Sequence, residues 1–74
     1  MFEEEGVTFT QFLRAMRLKL AHRMLRDRRY MSLNVSAIAY AVGFADLSHF
    51  NHSFRRLFGA TPTDVRRTSL SDLP

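Results

Sequence analysis

The chain has 74 residues, 46% of them hydrophobic, with seven Phe and no Cys. That leaves room for one small packed domain or part of one rather than a disordered tail, and it excludes disulfides and thiolate metal sites. The net charge is +4, from 11 Lys and Arg against 7 Asp and Glu, which suits a polyanionic partner such as nucleic acid or an anionic surface.

The charges are segregated. Glu3, Glu4 and Glu5 open the chain, and Arg14, Arg17, Lys19, Arg23, Arg26, Arg28 and Arg29 follow, opposed by Asp27 alone. Arg55 with Arg56 and Arg66 with Arg67 form two further basic pairs. No apolar run approaches the length of a membrane span, and no charged segment followed by an apolar one opens the chain as a secretory leader. A cytoplasmic domain is expected.

Thr8 followed by Gln11 fits a capping box and predicts a first helix from Thr8 to about Arg28. It carries two apolar stripes. Phe9, Leu13, Met16, Leu20 and Met24 form one, and Leu18, Ala21 and Leu25 the other. A surface helix normally has one such stripe, so this helix is either central or joins two packed bodies. His22 reads as a surface or boundary residue.

A second, short helix starts after Asn34, a good N-cap, with Val35, Ile38, Ala39 and Val42 at helical spacing. Gly43 suits the position just past its end, and Phe44 can close the turn hydrophobically. A third helix begins near Asp46, whose charge favours a helix N-terminus, and stops at Gly59. Its apolar side is Leu47, Phe50, Phe54, Leu57 and Phe58. A last short helix starts at Pro62 with Thr61 as its cap and carries Val65, Arg66 and Arg67. Ser69 onward reads as a frayed tail. Periodicity counts Phe9, Phe12, Phe44, Phe50, Phe54 and Phe58 as core.

The second and third helices are joined by Gly43-Phe44-Ala45, a helix, a short Gly-containing turn and a longer helix, which is the helix-turn-helix pattern. In that motif the second helix enters the major groove and its N-terminal half reaches base edges. At about 100° per residue, the direction opposite the third helix's apolar side falls on His52, flanked by Ser48 and Arg56 and then by His49 and Arg55. This face offers hydroxyl, imidazole and guanidinium groups and, beyond Asp46, no carboxylate. Such groups donate to phosphates and to purine edges.

The stretch Leu33-Asn34-Val35-Ser36-Ala37-Ile38-Ala39-Tyr40-Ala41-Val42-Gly43-Phe44, followed by Ser48-His49-Phe50, Phe54-Arg55-Arg56, Phe58-Gly59 and Pro62, closely resembles the C-terminal signature of AraC/XylS-type transcription regulators. Upstream, Gly6-Val7-Thr8-Phe9, Phe12-Leu13, Arg17-Leu18, Ala21 and Met24-Leu25 are similar to the linker helix of the same domain. The resemblance covers roughly residues 2 to 67. It implies an all-α, homeodomain-like three-helix unit. Residues 1–7 would be a remnant of a preceding recognition helix and turn, 8–30 a connector helix, 31–67 the helix-turn-helix with its closing helix, and 68–74 a tail. Family members carry two helix-turn-helix units. The resemblance implies that the first is absent here, together with any effector-sensing domain. Two positions depart from the family: His52 stands where Arg is frequent, and Val65 where an aromatic is common.

The function implied is sequence-specific binding of double-stranded DNA in transcription regulation, by a truncated regulator. Ser48, His49 and His52 are the candidates for base-edge contact, against an ordinary solvated face. Asn51 flanks them as a phosphate or base contact. Arg55 and Arg56 are candidate phosphate clamps. Asn34 and Ser36 either present the second helix's N-terminus to a phosphate or merely cap it. Leu47 reads as core, though at the helix start it can reach a thymine methyl. Arg23 and Arg26 add charge without groove-reading geometry. If the first unit is absent, Phe2, Phe9, Phe12, Leu13 and Met16 form an orphaned apolar surface open to self-association.

The alternative is a small helical protein–protein interaction module that docks through that stripe. A basic amphipathic helix lying on a membrane is a weaker third option, at odds with the polar third helix. Asp46, His49 and His52 lack a fourth metal ligand nearby, and neither a nucleophile–base arrangement nor a Gly-rich phosphate loop is present. No enzyme activity, metal or cofactor is expected.

Overall fold

The computed structural model describes residues 8–71 and is helical throughout its regular elements. The helices are α1 (Phe9–Leu25), α2 (Val35–Ala41), α3 (Leu47–Phe58) and α4 (Pro62–Ser71), with a 3-10 turn at Arg28–Tyr30 between α1 and α2. The expected remnant over 1–7, with Phe2 and Glu3, Glu4 and Glu5, and the last three positions, 72–74, lie outside the described residues.

Each helix starts where its sequence provides a side-chain oxygen for an unpaired backbone N–H. Thr8 Oγ1 accepts from the Gln11 N–H at 3.1 Å, and Gln11 Oε1 accepts from the Thr8 N–H at 3.1 Å, a complete capping box. Asn34 Oδ1 accepts from Ala37 N–H at 2.8 Å, Asp46 Oδ1 from Ser48 N–H at 2.9 Å, and Thr61 Oγ1 from Asp64 N–H at 3.1 Å. α1 stops at Leu25, earlier than the expected Arg28. Asp27 supplies the reason. Its carboxylate accepts from the Arg29 N–H at 2.9 Å and from the Arg29 guanidinium at 2.8 Å, so it starts a new turn instead of continuing the old one. That pairing holds the half-buried Asp27 carboxyl below its ordinary pKa. α4 in turn runs on to Ser71, into the stretch expected as a tail.

α1 packs against α2, α3 and α4 with one of its two stripes. Leu18, Ala21 and Leu25 are buried together with Ile38, Ala39, Val42, Phe44, Phe50 and Phe54. Phe50 and Phe54 are wholly enclosed, and burying each contributes roughly 1.5–3 kcal/mol. Of the other stripe, Phe9 is 62% exposed, Met16 52% and Leu20 47%, whereas Met24 at its end packs partly buried against the core. Phe9 and Phe12 are therefore not core, contrary to the periodicity. They lie on the side of α1 away from the three helices that cover it. Leu57, expected on the apolar side of α3, is also exposed, because it sits at the edge of the stripe beside an open groove between α1 and α3. His22 is a boundary residue. Its ring stacks on Phe58 at 4.4 Å, and partial burial, with the Arg26 charge second, lowers its pKa from the ordinary 6.5.

Arg66 is not a solvated cation. Its guanidinium donates to the Leu33 carbonyl and, at 3.0 Å, to the Tyr30 carbonyl, tying α4 to the segment that leads into α2. A planar fork can satisfy two divergent carbonyls at once.

The turn between α2 and α3 rests on Gly43. Its φ is +108°, the Gly43 N–H donates to the Tyr40 carbonyl at 3.1 Å, and the Phe44 N–H reaches back to the Ala39 carbonyl at 3.0 Å. This is the Schellman arrangement, and it sends Phe44 into the core. A Cβ at Gly43 would also lie 3.1 Å from Arg17 Nε, whereas one at Gly59, with φ +75°, would meet nothing within 4 Å. Gly43→Ala should therefore cost about 1–3 kcal/mol and exceed Gly59→Ala, for which left-handed strain alone predicts about 1–2 kcal/mol. Gly59→Asn should recover most of its loss, since Asn tolerates the left-handed region, and Gly43→Asn should not. Urea denaturation midpoints of the four variants check this. Equal losses at the two positions would contradict it.

Candidate nucleic-acid interface

α3 turns its Phe50 and Phe54 side into the core, which leaves the opposite side to solvent. Ser48, His49, Asn51, His52, Arg55 and Arg56 are all exposed there. The helix thus brings together six of the eight residues expected to bind. The other two sit at the start of α2, where Asn34 is exposed and Ser36 half-buried. The Asn34 side-chain oxygen is taken up by the cap, which leaves its amide N–H groups to donate elsewhere.

The start of α3 is held firmly. Asp46 accepts from both Ser48 N–H and His49 N–H, and the His49 ring packs edge-on against Phe44 at 5.7 Å. His49 is thereby anchored by the turn that orients the helix. Leu47 packs partly buried against the core. Arg55 and Arg56 lie in the last turn, where the helix dipole favours cations, and Gly59 closes the helix by donating to the Arg55 carbonyl at 2.8 Å.

The electrostatics are one-sided. Asp46 is the one acid on α3 or at its ends, and its carboxylate is committed to the helix N-terminus. The exposed face offers donors throughout, with two guanidinium groups toward its C-terminal end. Among the described residues, no group of three or more His, Asp or Glu is placed to hold a metal ion, and no helix is long and apolar enough to cross a membrane.

Beside this face runs an open groove of about 450 Å³ between α3 and the N-terminal half of α1. Gln11 and Arg14 of α1 share it with His49, His52 and Arg56. Counting charges and periodicity along α3 missed these two α1 residues. The available signal was that Arg14 lies one turn before Leu18, on the stripe of α1 that faces the other helices.

The comparisons with known proteins agree on one family. The family model of the helix-turn-helix domain matches residues 1–68. Transcriptional activator RhrA of Rhizobium meliloti is 42% identical over 66 residues, 89% of this chain and 21% of that protein. HTH-type transcriptional regulator GlxA of the same organism is 40% identical over 67 residues, 90% of this chain and 20% of that protein. HTH-type transcriptional activator RhaS of Escherichia coli is 38% identical over 65 residues, 88% of this chain and 22% of that protein. The chain thus spans about a fifth of the length of the curated relatives it matches. No solved structure matches it.

Proposed function

The chain belongs to the AraC-type helix-turn-helix family, and on that premise we propose that it binds double-stranded DNA through α3 in the major groove, as part of transcription regulation. The observation that carries this reading is the exposed face of α3. It is free of carboxylates, rich in donors, and set by a glycine turn whose neighbouring ring is buried. Ser48, His49 and His52 read base edges from the N-terminal half of the helix, and Asn51 supports them at the flank. Arg55 and Arg56 clamp backbone phosphates. Asn34 and Ser36 approach a phosphate from α2.

A single helix-turn-helix reads one groove segment with few phosphate contacts. Full specific complexes reach roughly 10⁻⁸–10⁻¹¹ M, and non-specific binding roughly 10⁻⁴–10⁻⁶ M. Binding by this chain falls toward the weaker range, with sequence preference visible at low salt. A duplex enriched from a random pool, titrated by fluorescence anisotropy at two salt concentrations, separates the two roles on α3. Arg56→Ala should weaken binding to all sequences and flatten the salt slope by about one unit. His52→Ala should change preference more than overall affinity. Equal, sequence-independent losses at both positions would contradict the assigned roles.

The outward stripe of α1 supports a second property. Phe9, Met16 and Leu20 present an exposed apolar strip of a kind that soluble monomers rarely show. In isolation the chain self-associates through it. Light scattering at high micromolar concentration should show a mass that rises with concentration, and Met16→Glu with Leu20→Lys should reduce it. A strictly monomeric wild-type chain would contradict this.

A further inference from the structure

The core-facing stripe of α1 does not end where the core ends. Leu18, Ala21 and Leu25 recur at helical spacing and are buried. One turn before Leu18 the same stripe carries Arg14, and Gln11 lies in the turn before that. A position that would hold an aliphatic residue if α1 were covered there holds a guanidinium instead. Arg14 is half-buried rather than splayed into solvent, and it lines the groove of about 450 Å³ opposite His49, His52, Ser53 and Arg56.

The groove has an unbalanced charge. The acids among the described residues are Asp27, Asp46 and Asp64, and none of them lines it. Among the described residues Asp27 pairs with Arg29, and neither Arg14 nor Arg56 has a carboxylate partner. Among the described residues, two guanidinium groups and two imidazoles therefore line a concavity that no carboxylate shares.

The groove also has a fixed relation to the proposed interface, because His49, His52 and Arg56 belong to both. When α3 lies in a major groove about 12 Å wide, phosphates of the two strands flank it on either side. The α1 wall then stands against one of those strands. From this juxtaposition we infer that Arg14 donates to a DNA backbone phosphate beside α3, which makes the connector helix part of the DNA-binding surface. The inference rests on the reading of α3 as the groove-reading helix. It adds a contact from outside the helix-turn-helix. The contact positions α3 in its groove without reading sequence, as phosphate contacts do.

The test uses the whole 74-residue chain, with Arg14→Ala, Arg14→Lys and, as a cation on a different face of α1, Arg23→Ala. Each variant is first checked by circular dichroism melting, and Arg14→Lys keeps the charge where Arg14→Ala unfolds. Affinity for an enriched duplex and for its scrambled counterpart is then followed against salt. Arg14→Ala should lower both affinities by the same several-fold factor and flatten the slope of log K against log salt by about 0.9. Arg14→Lys should keep most of the slope, and Arg23→Ala should change it far less than Arg14→Ala. A scan of single neutral methylphosphonates through the duplex should find a position whose neutralisation weakens the wild type but not Arg14→Ala. A wild-type slope in Arg14→Ala with DNA binding intact would overturn the inference and leave the role of α3 standing. Altered sequence preference in Arg14→Ala would overturn it too, by making Arg14 a base contact. Failure of the wild-type chain to bind any duplex at low salt would overturn both.

Discussion

The structure depends on one backbone conformation that a side chain cannot easily adopt. Gly43 takes φ +108°, and this allows the Phe44 N–H to return to the Ala39 carbonyl while the Phe44 ring turns inward. The ring then meets Phe50 at 5.2 Å and His49 at 5.7 Å, so the turn and the first turn of α3 are locked to the same aromatic contact. Phe50 and Phe54 fix the rotation of α3 about its axis, and that rotation decides which residues face outward. The outward face of α3 is thus a consequence of the turn. Ser48, Asn51, His52, Arg55 and Arg56 are exposed because the opposite side of their helix is committed to the core.

α1 links this unit to a second, unfilled surface. Its apolar residues lie on opposite sides of the helix. One side holds the core through Leu18, Ala21 and Leu25, and the other carries Phe9, Met16 and Leu20 to solvent. Arg17 lies between these faces and packs over Gly43, so the connector also bears on the turn that sets α3. A Cβ at position 43 would have to displace the end of that side chain slightly, in addition to the strain of φ +108°.

The helix starts were legible in the sequence because each rests on a local hydrogen bond between residues two or three apart. Thr8, Asn34, Asp46 and Thr61 all cap as their positions imply. Gly43 and Gly59 were legible for the same local reason. The exposed face of α3 followed from periodicity, since its aromatic side is unambiguous. What required the structure was non-local. Periodicity finds two stripes on α1 but does not say which one the other helices cover, so it counted Phe9 and Phe12 as core. Arg66 is basic in sequence yet reaches carbonyls more than thirty positions away. Leu57 belongs to the apolar side by angle, but α1 leaves a groove beside it. Arg14 carries its meaning only once α1 and α3 stand side by side.

The central claim is that the outward face of α3, and not the bare stripe of α1, meets DNA. Amide chemical-shift mapping of the chain on addition of a short enriched duplex tests it most directly. The account predicts the largest perturbations at Ser48, His49, Asn51, His52, Arg55 and Arg56, smaller ones at Asn34 and Ser36, and little change at Phe9, Met16 and Leu20. Perturbations centred on Phe9, Met16 and Leu20, or spread evenly over every arginine, would contradict it.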